Sequence, residues 1–190
     1  MKFFFLLLLP FLALEVSKDD DKIIMAYADV IAKSDLIVEG VIDGLEKTSY
    51  EFSVSDNIKG RSDKKISVKK WRQWVCDSRM AKYEEGQKLI LFLTKDKNGE
   101  YRIINGSTGE LIITEDDAVL RYDYQSLPKS KIIKLGIRKF LQCFTYEEVK
   151  KFPYRHLFIP VVDQSQVEDN KRNNRFFKRI VKYMSFKKDS

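Results

Sequence analysis

The chain has a single imidazole, His156, set in Phe152-Pro153-Tyr154-Arg155-His156-Leu157-Phe158, and two thiols, Cys76 and Cys143. Nucleophilic catalysis by either cysteine would need that imidazole beside its sulfur as general base. A lone histidine among arginine and aromatic neighbours fits packing better than such a dyad. The acid pairs Glu84-Glu85 and Asp116-Asp117 are adjacent in sequence. Neighbouring carboxylates on one turn cannot flank a glycosidic bond from two sides, so they read as solvated turns. No phosphate-cradling glycine loop, zinc-ligand spacing or nucleophile elbow occurs. The sequence therefore assigns no catalytic residue, no metal ligand and no cofactor, and points away from an enzyme.

Binding chemistry is better represented. Trp71-Arg72-Gln73-Trp74 combines the two residue types that dominate binding hot spots, large rings and a guanidinium. Trp71, Arg72 and Trp74 are thus candidate contact residues, preceded by a basic run of Lys64, Lys65, Lys69 and Lys70. The competing reading makes one tryptophan a plug for the fold and the other a cover for Cys76. A second candidate is the tail, where Arg175, Lys178, Arg179 and Lys182 alternate with Phe176, Phe177, Ile180, Val181 and Met184. The spacing predicts an amphipathic helix over 175–184 with an apolar stripe and a basic face. Such a helix either lies on an anionic membrane surface, its stripe among acyl chains, or packs that stripe on its own domain.

The whole chain is 190 residues with 35 Lys+Arg against 28 Asp+Glu, a net charge of +7. Hydrophobic residues make up 44% and charged ones 33%, which suits one domain with a true core and excludes a polytopic membrane protein. Met1-Lys2 followed by the apolar run Phe3–Leu14 resembles an export signal, too short to span a bilayer comfortably. The expected division is a signal over 1–17, a barrel domain over 18–126 and a basic helical extension over 127–190. The run is either cleaved near Ser17 or retained as a short anchor. No cysteine follows it, which excludes lipoprotein processing. Export to the periplasm, the outer face of a membrane or the exterior permits one disulfide between Cys76 and Cys143; two buried free thiols are the alternative. Export also argues against a nucleic-acid ligand, although charge and aromatics alone would allow one.

The elements that must position these residues are mostly strands. Ile23, Ile24, Tyr27, Val30 and Ile31 recur at helical spacing and predict a helix over 21–33. Tyr50, Phe52 and Val54, then Ile66 and Val68, alternate with polar residues as half-buried strands do. Leu36–Ile42 and Leu89–Leu93 are nearly continuous apolar runs, hence strands buried on both faces. Asp96-Lys97-Asn98-Gly99 predicts a hairpin turn into Tyr101–Asn105. Shorter strands are expected at Leu111–Thr114 and Val119–Tyr124. Five main strands with one long interval, Trp71–Gly86, between the third and fourth match an OB-type Greek-key barrel, and Gly40 would supply a bend in the first strand. Beyond the barrel, a basic helix is expected over 129–142. Thr145-Tyr146-Glu147-Glu148 reads as a capping box opening a short helix that ends at Pro153. Gln164–Asn174, polar throughout, reads as a linker.

Ala28-Asp29-Val30, Ser34–Val41, Ile58-Lys59-Gly60, Gly86–Leu93 and Gly99–Asn105 together resemble the tissue-inhibitor-of-metalloproteinases and netrin-module superfamily of secreted OB-folds. The resemblance spans Ala28 to about Ile113 and implies a mainly β, five-stranded barrel with an N-terminal helix. Animal inhibitors of that superfamily chelate the target's zinc through an N-terminal Cys-x-Cys. No cysteine precedes Cys76 here, so that mechanism has no residues to carry it. Bacterial-type members pair a cysteine at the Cys76 position with one just after the fifth strand. Ile104-Asn105-Gly106-Ser107-Thr108 stands there instead, which leaves Cys143 as the candidate partner. The expected function is an exported, non-enzymatic binding module for a protein or envelope component.

Overall fold

In the computed structural model, which describes residues 25–73, 77–120, 126–148 and 156–184, the first strand has partners along both edges. That strand, β1 (Leu36–Leu45), is antiparallel to β2 (Ser49–Lys59) on one side. Its other edge runs antiparallel to β4 (Lys88–Lys95), from Leu36 opposite Leu93 to Val41 opposite Lys88. Between them, β3 (Lys65–Lys69) follows β2, and β5 (Tyr101–Ile103) joins β3 in parallel and β4 in antiparallel pairing. The circuit β1-β2-β3-β5-β4 therefore closes on itself. It is a five-stranded barrel in OB order, as the strand count anticipates. Beyond the circuit, β6 (Glu110–Ile113) continues from β4, followed by the two-residue strands β7 (Val119–Leu120) and β8 (Ser126–Leu127).

Alternation along the strands divides the apolar residues between two cores. Leu36, Val38, Ile42, Tyr50, Phe52, Ile66, Val68, Leu89, Leu91 and Leu93 fill the barrel. The residues between them, Ile37, Ile90 and Phe92, face outward and are equally buried, because helices cover that side. The outer layer consists of α1 (Tyr27–Lys33), α2 (Ser130–Cys143) and α4 (Arg175–Lys182). Residues on both sides of position 126 thus share one core. Lys59, at the end of β2, donates through Nζ to the carbonyls of Ile31 (2.8 Å) and Ala32 (3.1 Å), which places a cation on the C-terminal dipole of α1. Across the barrel wall, Lys134 of α2 bridges Glu39 (2.9 Å) and Asp56 (3.1 Å), and Arg138 bonds Asp56 at 2.7 Å.

Two segments differ from expectation. Gln164–Asn173 is a helix, α3, not a linker. Its inward side carries Val167 and Asn170, and its outer side is held by pairs one turn apart, Gln164–Glu168, Lys171–Glu168 and Arg172–Asp169. The supposed capping box is a strand, β9 (Phe144–Glu148), paired antiparallel with β10 (His156–Pro160). Phe144 enters the helical core and Tyr146 packs against it. This alternation, with a partner strand available, outweighs a local capping pattern worth about 1 kcal/mol. The expected end of that helix at Pro153 and the segment 1–24, with the export signal, lie outside the described residues.

Close approach is bought by glycine at two places. A Cβ on Gly40 would sit 2.1 Å from the Ser53 carbonyl oxygen and 2.8 Å from the Phe52 ring. A Cβ on Gly136 of α2 would meet Asn174 Oδ1 at 2.8 Å, and Asn174 is the residue that caps α4 by accepting from the Phe176 and Phe177 amides. Gly44, also in β1, has nothing nearer than 3.8 Å. Gly40→Ala is therefore expected to cost about 3 kcal/mol or more by overpacking, and Gly44→Ala to stay within about 0.5 kcal/mol. Urea unfolding of the two variants beside the parent measures the contrast, and equal losses would contradict it.

Candidate functional site

The tail helix carries two opposed faces. Phe176, Phe177, Ile180 and Val181 are buried against α1, α2 and the outer barrel wall, with the Phe176 ring 5.2 Å from that of Tyr27. Arg175, Lys178, Arg179 and Lys182 recur at i, i+3, i+4 and i+7, which puts them on the side pointing away from the core. None of the four makes an ion pair among the described residues. In α3, by contrast, Lys171 and Arg172 are matched by Glu168 and Asp169. Two concavities flank α4. One of about 520 Å³ lies between it and Leu127-Pro128 and is lined also by Tyr183; another of about 340 Å³ lies towards α3. Insertion of the apolar stripe among acyl chains, one of the two readings of this segment, is incompatible with its place in the core. Only the basic face is outward.

At one mouth of the barrel a second polar cluster has formed. Trp71 is half-buried against the barrel core, while Arg72 is exposed. Trp74 and Cys76 lie outside the described residues. Beneath Trp71, Arg79 is ion-paired through Nε with Glu110 at the start of β6, both side chains almost wholly buried. The other guanidinium nitrogens donate to the carbonyls of Ala81 (2.5 Å) and Lys82 (2.7 Å) and to Gln87 Oε1 (2.5 Å), and the Tyr83 ring lies 3.8 Å away. Nearby, Asp77 accepts from Ser107 Oγ at 2.5 Å, and Gly106, at φ +53°, leaves room for that carboxylate. These bonds tie the long interval after β3 to the 105–110 segment. Burial pushes the Glu110 carboxyl above its ordinary range, opposed by the Arg79 charge. Every Arg79 nitrogen is bonded, so the guanidinium fastens the loop, while Trp71 Nε1, the Tyr83 hydroxyl and Glu110 Oε2 beside it are buried without a hydrogen-bond partner among the described residues.

The basic run ahead of Trp71 is largely matched by partners. Lys65 pairs with Asp43 (2.5 Å) and Glu51 (3.6 Å), Lys69 pairs with Glu100 (3.4 Å), and Lys70 bonds the Glu46 carbonyl. His156 is 7% exposed; its Nδ1 lies 2.8 Å from Asp29 Oδ1, and its ring meets Tyr146 edge-on. It clasps β10 to α1. Cys143 is a free, buried thiol that accepts from Asn170 Nδ2 at 3.3 Å, and burial raises its pKa. His156 and Cys143 are thus engaged with different partners, and Cys76, the other thiol of a conceivable dyad, lies outside the described residues. No group of three His, Cys, Asp or Glu among the described residues is placed to hold a metal ion. Sequence reasoning missed Arg79 and Glu110. The available signal was a lone acid opening the apolar run Leu111–Ile113, although its partner is 31 positions away.

Removing one partner of a buried ion pair strands the other's charge, at a cost of about 3–5 kcal/mol. Arg79→Met is expected to destabilise the fold by that amount near neutral pH. Glu110 titrates higher folded than unfolded, so the burden exists above its folded pKa and fades as pH falls towards the unfolded value of about 4.5. Replacing both residues, as Arg79→Met with Glu110→Leu, should recover part of the loss. Denaturant unfolding from pH 8 to pH 5 reads this out. A deficit independent of pH would show that Glu110 is not the stranded group.

No protein-family model matches the chain, nor does any curated protein.

Proposed function

We propose that this chain is an exported, non-enzymatic OB-type binding module that engages an anionic envelope component through the basic face of α4. One observation carries the reading: four cations without carboxylate partners among the described residues stand in one outward row beside two concavities. The other conspicuous polar groups are taken up internally. Arg79, Glu110, Asp77 and Ser107 fasten a loop, and His156 with Asp29 fastens a strand to a helix. A barrel that turns these buried polar groups to its own assembly and sets four cations on one outward helix face is organised for binding. The likeness to the inhibitor and netrin-module superfamily belongs to the same reading, supported by strand order and by the N-terminal helix packed outside the barrel. Inhibition of a zinc protease would have to proceed without an N-terminal Cys-x-Cys.

Co-sedimentation with the source's own envelope fraction tests this. The parent protein is expected to be retained, and a variant with Arg175, Lys178, Arg179 and Lys182 all changed to Gln is expected to lose at least about tenfold in retention. His156→Ala should bind as the parent does. Retention of the Gln variant at the parental level would contradict the assignment of the face, and a turnover activity abolished by His156→Ala would contradict a non-enzymatic role.

A further inference from the structure

The anionic component can be specified more closely from how α4 is mounted. We infer that the α4 face docks on an anionic phospholipid bilayer at headgroup depth, without insertion of the helix; this rests on the reading of that face as the binding surface. Steric packing rules out insertion. Phe176, Phe177, Ile180 and Val181 are core residues shared with α1 and α2, so the helix has no apolar side to offer to acyl chains. What remains outward is a row of long cationic side chains, suited to phosphates in a plane.

The edge of the row has a matching composition. Tyr183, 62% exposed, follows Lys182 at the end of the row, with the Lys182 ammonium 5.1 Å from its ring centroid. An exposed tyrosine beside cations is the side chain that settles at the water–lipid boundary. The concavity beside it, about 520 Å³ and lined by Leu127, Pro128 and all four cations, has room for a headgroup.

The full chain is the form to test. It is mixed with phosphatidylglycerol-containing vesicles, with pure phosphatidylcholine vesicles, and with soluble polyglutamate. The expected result is sedimentation with the anionic vesicles alone and release at roughly 0.5 M NaCl, where the Debye length is a few ångströms. Each cation near the surface contributes about fivefold in partitioning, so the variant with four glutamines should bind about a hundredfold or more weakly. Its melting temperature, matched to the parent's, shows that the fold is kept. Binding to polyglutamate without binding to vesicles would overturn the bilayer inference and leave the anion-binding face standing. Binding to neither would overturn both. A rise in surface pressure when the protein meets an anionic lipid monolayer would overturn docking at headgroup depth.

Discussion

Everything in this molecule is arranged around one strand having to satisfy two neighbours. β1 bonds β2 on one edge and β4 on the other, and its register against β2 shifts at Ile37/Val38, Glu39/Gly40 and Ile42/Gly44, irregularities that let the strand bend. Any side chain at position 40 would occupy the space of the Ser53 carbonyl. Closure in turn leaves β1 and β4 with no solvent-facing side. Their inward residues fill the barrel, and their outward residues demand a cover. The helical layer answers that demand, and α4 is part of it because Phe176 and Phe177 are needed over Phe92, Tyr27 and Phe144.

The orientation of α4 follows from this requirement. A helix anchored by one face must present the opposite one, and here the opposite face is Arg175, Lys178, Arg179 and Lys182. Gly136 and Asn174 fix its position: the glycine lets the two helices approach, and the asparagine caps α4 while donating to the Ile132 carbonyl at 2.9 Å. The basic row is consequently held in place by the core and does not depend on a ligand to order it. Preorganisation of this kind lowers the entropic cost of binding, which matters for a contact made mostly of solvated charges.

Much of the barrel was legible because its signals are local or periodic. The run Leu89–Leu93 announces a strand buried on both faces, and the two cores divide its residues alternately. Asp96-Lys97-Asn98-Gly99 turns as its composition requires: Asp96 Oδ1 accepts from the Asn98 and Glu100 amides, and Gly99 takes φ +82°. The helix α3 was hidden because a helix that buries little beyond Val167 and Asn170 has almost no apolar period to read. β9 was mistaken because a capping box is a statement about four residues, whereas β9 is decided by β10, beyond the reach of local pattern. The Arg79–Glu110 pair was invisible for the same reason, being made across the barrel mouth by two segments that pattern alone does not connect. On the candidate site, the sequence identified both the apolar stripe and the basic row of α4. It left open which of them faces outward, and only the competition for the outer wall of the barrel resolves that.

The central claim is that α4 is a fixed part of the core whose basic side alone is available to a partner. Native-state hydrogen exchange tests it directly by comparing the amides of α4 with those of β1. If α4 is covered as described, the amides of Ile180 and Val181 exchange only with global unfolding, at the protection of Ile37 and Val38, and they keep that protection when an anionic partner is bound. Exchange of α4 by local opening, orders of magnitude faster than β1 in the free protein or released on binding, would show a detachable helix and contradict the account.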